Sequence, residues 1–170
     1  MTTTLTTPVP ARAQAPTSFA DLGVPAPLVR SLAAGGIDSA FPIQAATLPD
    51  SLAGTDVLGK GRTGSGKTLA FSIPLVARLA ASRAPRRPGR PRGLVLCPTR
   101  ELANQIAAVV RPLAEASGLT VTTVFGGVSQ NPQASALRAG TDIVIACPGR
   151  LEDLMGQGIA VLDAVEVTVL

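Results

Sequence analysis

Histidine, tryptophan and tyrosine are absent from this 170-residue chain, phenylalanine occurs four times and cysteine twice. Without imidazole there is no His-based general acid or base, no Ser-His-Asp triad and no zinc site that needs a nitrogen ligand. Cys97 and Cys147 are too few for a four-thiolate site and too far apart in sequence for a Cys-x-x-Cys redox pair. They read as buried free thiols, which points to a reducing, cytoplasmic setting. Charged residues make up only 15% and apolar residues 46%, so the core must be Ala, Val, Leu and Ile. That composition excludes wholesale disorder and collagen-like repeats. The length suits one domain that buries about two thirds of its unfolded surface without a metal or disulfide staple. Long apolar runs are also lacking. Residues 69–81 are broken by Ser72, Pro74 and Arg78, too short for a membrane span. Residues 1–17 are Thr/Pro-rich, lack the apolar core of a signal peptide and read as a disordered tail. A soluble protein with no membrane partner is expected.

The net charge is +4, and Arg83, Arg86, Arg87, Arg90 and Arg92 alone carry more than all of it. Residues 81–93 are Pro-rich and without periodicity, so they read as a solvated loop between two elements, with nucleic-acid contact as the alternative.

Helices are predicted at 27–34, stopped by Gly35-Gly36, and at 42–52, with Pro42 in its first turn and Gly54 past its end. From Asp56 onward short apolar runs alternate with helical stretches. Strands are predicted at 57–58, 94–96, 121–124, 143–145 and 165–170, and helices at 67–80, 100–116, 132–139 and 149–156. Strand-then-helix order with continuously apolar strands implies an α/β fold, a mainly parallel sheet covered by helices on both faces. In 100–116, Leu102, Ile106, Val109 or Val110, and Leu113 form the apolar face. Pro112 predicts a kink or an early end near Val110.

Gly61-Arg62-Thr63-Gly64-Ser65-Gly66-Lys67-Thr68 is a complete G-x-x-x-x-G-K-[ST] between a predicted strand and a predicted helix, the context a P-loop requires. Its glycines let backbone N–H groups converge, the helix N-terminus adds positive potential, Lys67 reaches the outer phosphates and the Thr68 hydroxyl can ligate Mg²⁺. A P-loop binds phosphate but does not by itself define a function. Upstream, Gln44 could pair with the adenine edge and Phe19 stack on the base. Taken singly, Gln44 also fits a helix-surface amide and Phe19 a core anchor. Downstream, Pro98-Thr99-Arg100-Glu101-Leu102-Ala103, Gly126-Gly127 and Pro148-Gly149-Arg150 each follow a predicted strand, on the edge where parallel α/β sheets bind ligands. Hydroxyls, guanidinium groups and glycine amides there suit phosphate oxygens gripped without base reading. As ordinary turn chemistry Thr99 is an N-cap, Arg150 a solvated first-turn residue and Gly126-Gly127 a sharp turn.

In order and spacing, these motifs resemble the N-terminal RecA-like lobe of DEAD-box RNA helicases from Phe19 to the last residue. Residues 36–44, with Phe19, resemble that family's Q motif, 61–68 its motif I, 98–103 its motif Ia, Gly126-Gly127 its GG motif, and 148–150 the end of its motif Ib. The resemblance implies that Phe19 and Gln44 contact adenine and that Thr63, Gly64, Ser65, Gly66, Lys67 and Thr68 hold the phosphates and Mg²⁺ of ATP. Lys67 and Thr68 take the catalytic roles. It implies that Pro98, Thr99, Arg100, Gly126, Gly127, Pro148, Gly149 and Arg150 line an RNA backbone path. Departures are Ala40 and Phe41 in place of Pro-Thr, Gly61 for Ala, and Cys147 for Thr. The family's Asp-Glu-Ala-Asp motif and second RecA-like lobe lie beyond the stretch matched. The expectation is a first lobe, incomplete at its C-terminus, that does not turn over ATP by itself. The alternative is a non-catalytic nucleotide- or RNA-binding module that ends at Leu170.

Overall fold

The computed structural model describes residues 17–82 and 84–170. The expected disordered tail lies, apart from Thr17, outside them, as does Arg83. The elements run α1 (Ala26–Ala34), α2 (Pro42–Ala53), α3 (Lys67–Ala81), β1 (Gly93–Leu96), α4 (Arg100–Glu115), β2 (Val121–Val124), α5 (Asn131–Ala139), β3 (Ile143–Ala146), α6 (Pro148–Gly156) and β4 (Val167–Val169). The four strands form one parallel sheet in the order β2-β3-β1-β4. The expected α/β class is therefore observed. Among the described residues no helix is long and apolar enough to cross a membrane.

Alternation along the strands divides the core. Val95, Ile143 and Ile145 face a cluster built with α1 to α4, whereas Leu94, Val144 and Ala146 face one built with α5 and α6. Helices thus cover both faces, and β3 is buried throughout. Gly93 marks the tightest approach, since a Cβ there would come within 2.7 Å of the Leu79 side chain. α3 therefore ends against the start of β1. With a rise of about 1.5 Å per residue, its first turn lies at the opposite, carboxyl-end edge of the sheet.

Three expectations need correction. Residues 57–58 form no strand: the segment lies outside the sheet and Leu58 is 99% exposed. A two-residue run makes too few ladder bonds to hold itself in place, and β4 is paired only with β1. In α4, Pro112 neither ends the helix nor shortens it to Val110, because the last turn is fixed by buried Val110, Leu113 and Ala114. Exposed Ala108 carries the carbonyl that Pro112 cannot reach, so water can satisfy it. Ser31 Oγ also donates to the Pro112 carbonyl at 3.1 Å. On the same helix Leu102 lies at the surface, and Ala103 and Ala107 take the inward seats.

Residues 81–93 are the third correction, since they end in structure rather than in a solvated loop. Arg92 is 5% exposed, and its guanidinium meets Asp142 Oδ1 at 3.1 Å, Glu166 at 3.5 Å and the Leu79 carbonyl at 3.2 Å. Arg86 reaches Asp142 Oδ2 at 2.7 Å, and Arg90 pairs with Asp163. Thr120 donates its N–H and its hydroxyl to the same Asp142 oxygen. Burial alone would push the Asp142 carboxyl up, but these donors outweigh it and hold it below its ordinary value. Among the described residues, Arg86, Arg90 and Arg92 are thus engaged in ion pairs at the amino-end edge of the sheet.

Candidate nucleotide and RNA site

Gly64 and Gly66 both adopt positive φ, 81° and 88°, a region that L side chains rarely enter. At Gly66 space is the second reason: a Cβ would lie 2.4 Å from Gln44 Nε2. Gly66 caps α3, so the loop delivers its chain directly to a helix N-terminus with Lys67 and Thr68 in the first turn. Lys67 Nζ donates to the Gly61 and Arg62 carbonyls at 2.6 and 2.7 Å, which closes the loop around its own cation.

The residues fit a phosphate group on an observation of this loop itself. Among the described residues Ser65 Oγ is buried with no hydrogen-bond partner, and a buried unpaired hydroxyl costs about 1–3 kcal/mol unless something meets it. Thr63 and Gly64 are exposed beside it. A nucleotide's phosphates would be held by these amides and Lys67, and Mg²⁺ by the Thr68 hydroxyl. The metal would supply charge neutralisation at the phosphate oxygens. Among the described residues no group of three or more Cys, Asp or Glu is placed to hold a metal ion.

Gln44 and Phe19 part company. Gln44 is 2% exposed. Its Oε1 accepts from the Phe41 N–H at 2.8 Å and its Nε2 donates to the Gly66 carbonyl at 3.0 Å. The amide thus ties the start of α2 to the P-loop and is no surface amide. Phe19 is 2% exposed within the apolar cluster shared with Val24 and Leu28. Its ring shows no open face for a base, which corrects the expectation that it stacks on adenine. The exposed aromatic beside Gln44 is Phe41, at 53%.

The three strand-end motifs share the carboxyl-end edge. Pro98, Thr99 and Arg100 follow β1 and are exposed. Thr99 caps α4, its hydroxyl accepting from the Leu102 N–H at 3.2 Å, and Arg100 lies over the Phe125 ring, 5.9 Å from its centroid. Gly126 and Gly127 follow β2, exposed, with Gly127 at φ 76° next to the Arg100 guanidinium. Pro148, Gly149 and Arg150 open α6. Arg150 is no solvated residue: both terminal nitrogens donate to the Val128 carbonyl at 3.2 Å. Arginines from two motifs thus converge on the glycine loop of the third.

Gln133 belongs to the site without any motif of its own. Buried in α5, it accepts from the Phe125 N–H at 3.1 Å and donates to the Phe125 carbonyl at 3.0 Å, so it clamps the loop from below. Nothing in the sequence separates it from the other glutamines, because its partners are backbone atoms.

The DEAD/DEAH box helicase family model matches residues 41–170. The chain belongs to the DEAD/DEAH box helicase family. It is 44% identical over 156 residues to DEAD-box ATP-dependent RNA helicase 3A, chloroplastic, of Zea mays, covering 90% of this chain and 21% of that protein. It is 42% identical over 154 residues to the ATP-dependent RNA helicase RhlB of Sodalis glossinidius, covering 89% of this chain and 37% of that protein. The crystal structure of the RNA helicase Prp28 from Chaetomium thermophilum bound to ADP superposes with a TM-score of 0.81 at 37% identity, over 90% of this chain and 38% of that one. The chain therefore spans well under half the length of these helicases.

Proposed function

We infer that the chain is the ATP-binding, RNA-backbone-gripping first lobe of an ATP-dependent RNA helicase, whose duplex-separating activity belongs to a longer protein with a second RecA-like lobe. The observation that carries this reading is the convergence on one sheet edge of a P-loop with an unpaired buried hydroxyl and three phosphate-type motifs. Gln44, fixed between α2 and Gly66, holds the P-loop in place for the nucleotide, with Lys67 on the outer phosphates and Thr68 on Mg²⁺. Arg100, Arg150 and the amides of Gly126, Gly127 and Gly149 grip the RNA backbone without reading bases.

Residues 1–170 by themselves bind without useful turnover. Asp142 lies at the amino-end edge, locked to arginines, and Glu166 precedes β4. Neither is placed to anchor Mg²⁺ opposite Thr68 or to position water, and such groups are each worth a factor of about 10³ in phosphoryl transfer. The test is single-stranded RNA binding by fluorescence anisotropy across salt, with ATP hydrolysis measured in parallel. RNA of unrelated sequences should bind alike, with affinity falling steeply with salt and reduced by Arg100→Ala. No RNA binding at low salt, or robust RNA-stimulated hydrolysis by residues 1–170, would refute the reading.

A further inference from the structure

Cys97 and Cys147 stand one residue beyond the last paired positions of neighbouring parallel strands, where Leu96 is opposite Ala146. The ladder continues through them: the Cys97 N–H donates to the Ala146 carbonyl at 2.9 Å and the Cys147 N–H to the Val124 carbonyl at 2.8 Å. Partners in parallel register point to one face, and both side chains join the cluster beneath α1 to α4. The register sets them opposite each other there. Strands about 4.7–4.9 Å apart place the two Cα atoms inside the range of about 4.4–6.8 Å that a disulfide spans. Cys97 is buried and Cys147 partly open.

The geometry points to a dithiol that closes into an intramolecular Cys97–Cys147 disulfide under a peroxide oxidant, a covalent modification site at the root of both strand-end arginine motifs. Cys147, the accessible partner, attacks one peroxide oxygen as its thiolate. The O–O bond breaks, the departing hydroxide takes up a proton, and Cys147 becomes a sulfenic acid. Cys97 then attacks that sulfur, the S–OH bond breaks, and the hydroxide leaves with the Cys97 proton as water. Two thiols and one peroxide thus give one disulfide and two waters, each sulfur losing one electron. Burial and the Cys147 sulfur push the Cys97 thiol up to about 11, so Cys97 is not the first attacker, and its later attack on the sulfenic sulfur is carried by intramolecular proximity.

Closure draws the sulfurs to about 2.05 Å and removes the weak Cys97 Sγ–H contacts to the Thr99 and Ala146 carbonyls, both 3.7 Å. The starts of the Thr99-Arg100 and Gly149-Arg150 segments are then fixed closer together. On the RNA reading proposed above, on which this consequence rests, the spacing of the two grips along the backbone changes and affinity falls.

The experiment treats the reduced chain with hydrogen peroxide, denatures it in N-ethylmaleimide and measures intact mass and peptides. The expected product is monomeric, about 2 Da lighter, free of maleimide and reversed by dithiothreitol, with Cys97 linked to Cys147. Cys97→Ser should instead stop at a Cys147 sulfenic acid that dimedone captures. Two maleimides after peroxide, an intermolecular bond, or a Cys147 sulfinic acid beside an alkylated Cys97 would overturn the proposal. Labelled single-stranded RNA should bind the oxidised chain about fivefold more weakly or less and recover on reduction. Equal affinity in both forms would overturn the coupling. A reduced chain that fails to bind RNA would speak against the RNA reading alone, because the mass result judges the dithiol independently.

Discussion

The two ends of the sheet use the same residue types for opposite purposes. At the amino-end edge Arg86, Arg92 and Thr120 all converge on Asp142, which is 1% exposed. At the carboxyl-end edge Thr99 and Arg100 are exposed, the glycines carry open amides, and Ser65 Oγ has no partner among the described residues. An arginine enclosed by acceptors, as Arg92 is, braces the sheet, whereas an exposed one, as Arg100 is, keeps donors for something else. If this difference is real, substitutions at the two edges separate stability from binding.

The largest stability effect belongs to the amino-end edge. Asp142→Asn leaves the buried Arg92 guanidinium with Glu166 at 3.5 Å as its remaining carboxylate and should cost at most about 3–5 kcal/mol, read as a lower urea midpoint with nucleotide affinity retained in the folded fraction. Gly66→Ala should come next, at about 1–3 kcal/mol for a strained backbone, and it should also weaken nucleotide binding, because the new Cβ displaces Gln44 from the loop. Acid should erode the amino-end clasp selectively. The folded Asp142 value lies below its ordinary 3.8, so its contribution is full above about pH 4 and is lost as pH falls through the folded value. Urea midpoints between pH 5 and 2 should therefore fall more steeply for the wild type than for Asp142→Asn. The smallest stability effect should be that of Arg150→Lys, which loses the fork on the Val128 carbonyl but keeps its charge, within about 0.5 kcal/mol. Its RNA affinity should nevertheless drop measurably.

Much of this was legible in the sequence, for local reasons. The parallel α/β order, the starts of α2, α3 and α4 and the P-loop follow from periodicity, prolines, glycines and one fixed spacing. What stayed hidden depends on partners distant in the chain. Arg92 sits in a stretch with the composition of a solvated loop, and Asp142, fifty positions on, with Glu166 makes it a buried anchor. Phe19 could be read as a stacking platform or as a core residue, and packing with Val24 and Leu28 decided it. The apolar pair Val57-Leu58 resembles a strand until it is seen to have no neighbour to pair with. Pro112 breaks a pattern on paper, yet tertiary contacts hold its turn.

The most direct measurement is the affinity of ATP for the wild-type chain and for Lys67→Ala, with thermal stability recorded on the same samples. The account predicts unchanged stability within about 0.5 kcal/mol, since among the described residues Lys67 bonds only to its own loop, and loss of most nucleotide affinity. Retained ATP affinity in a folded Lys67→Ala protein would contradict it.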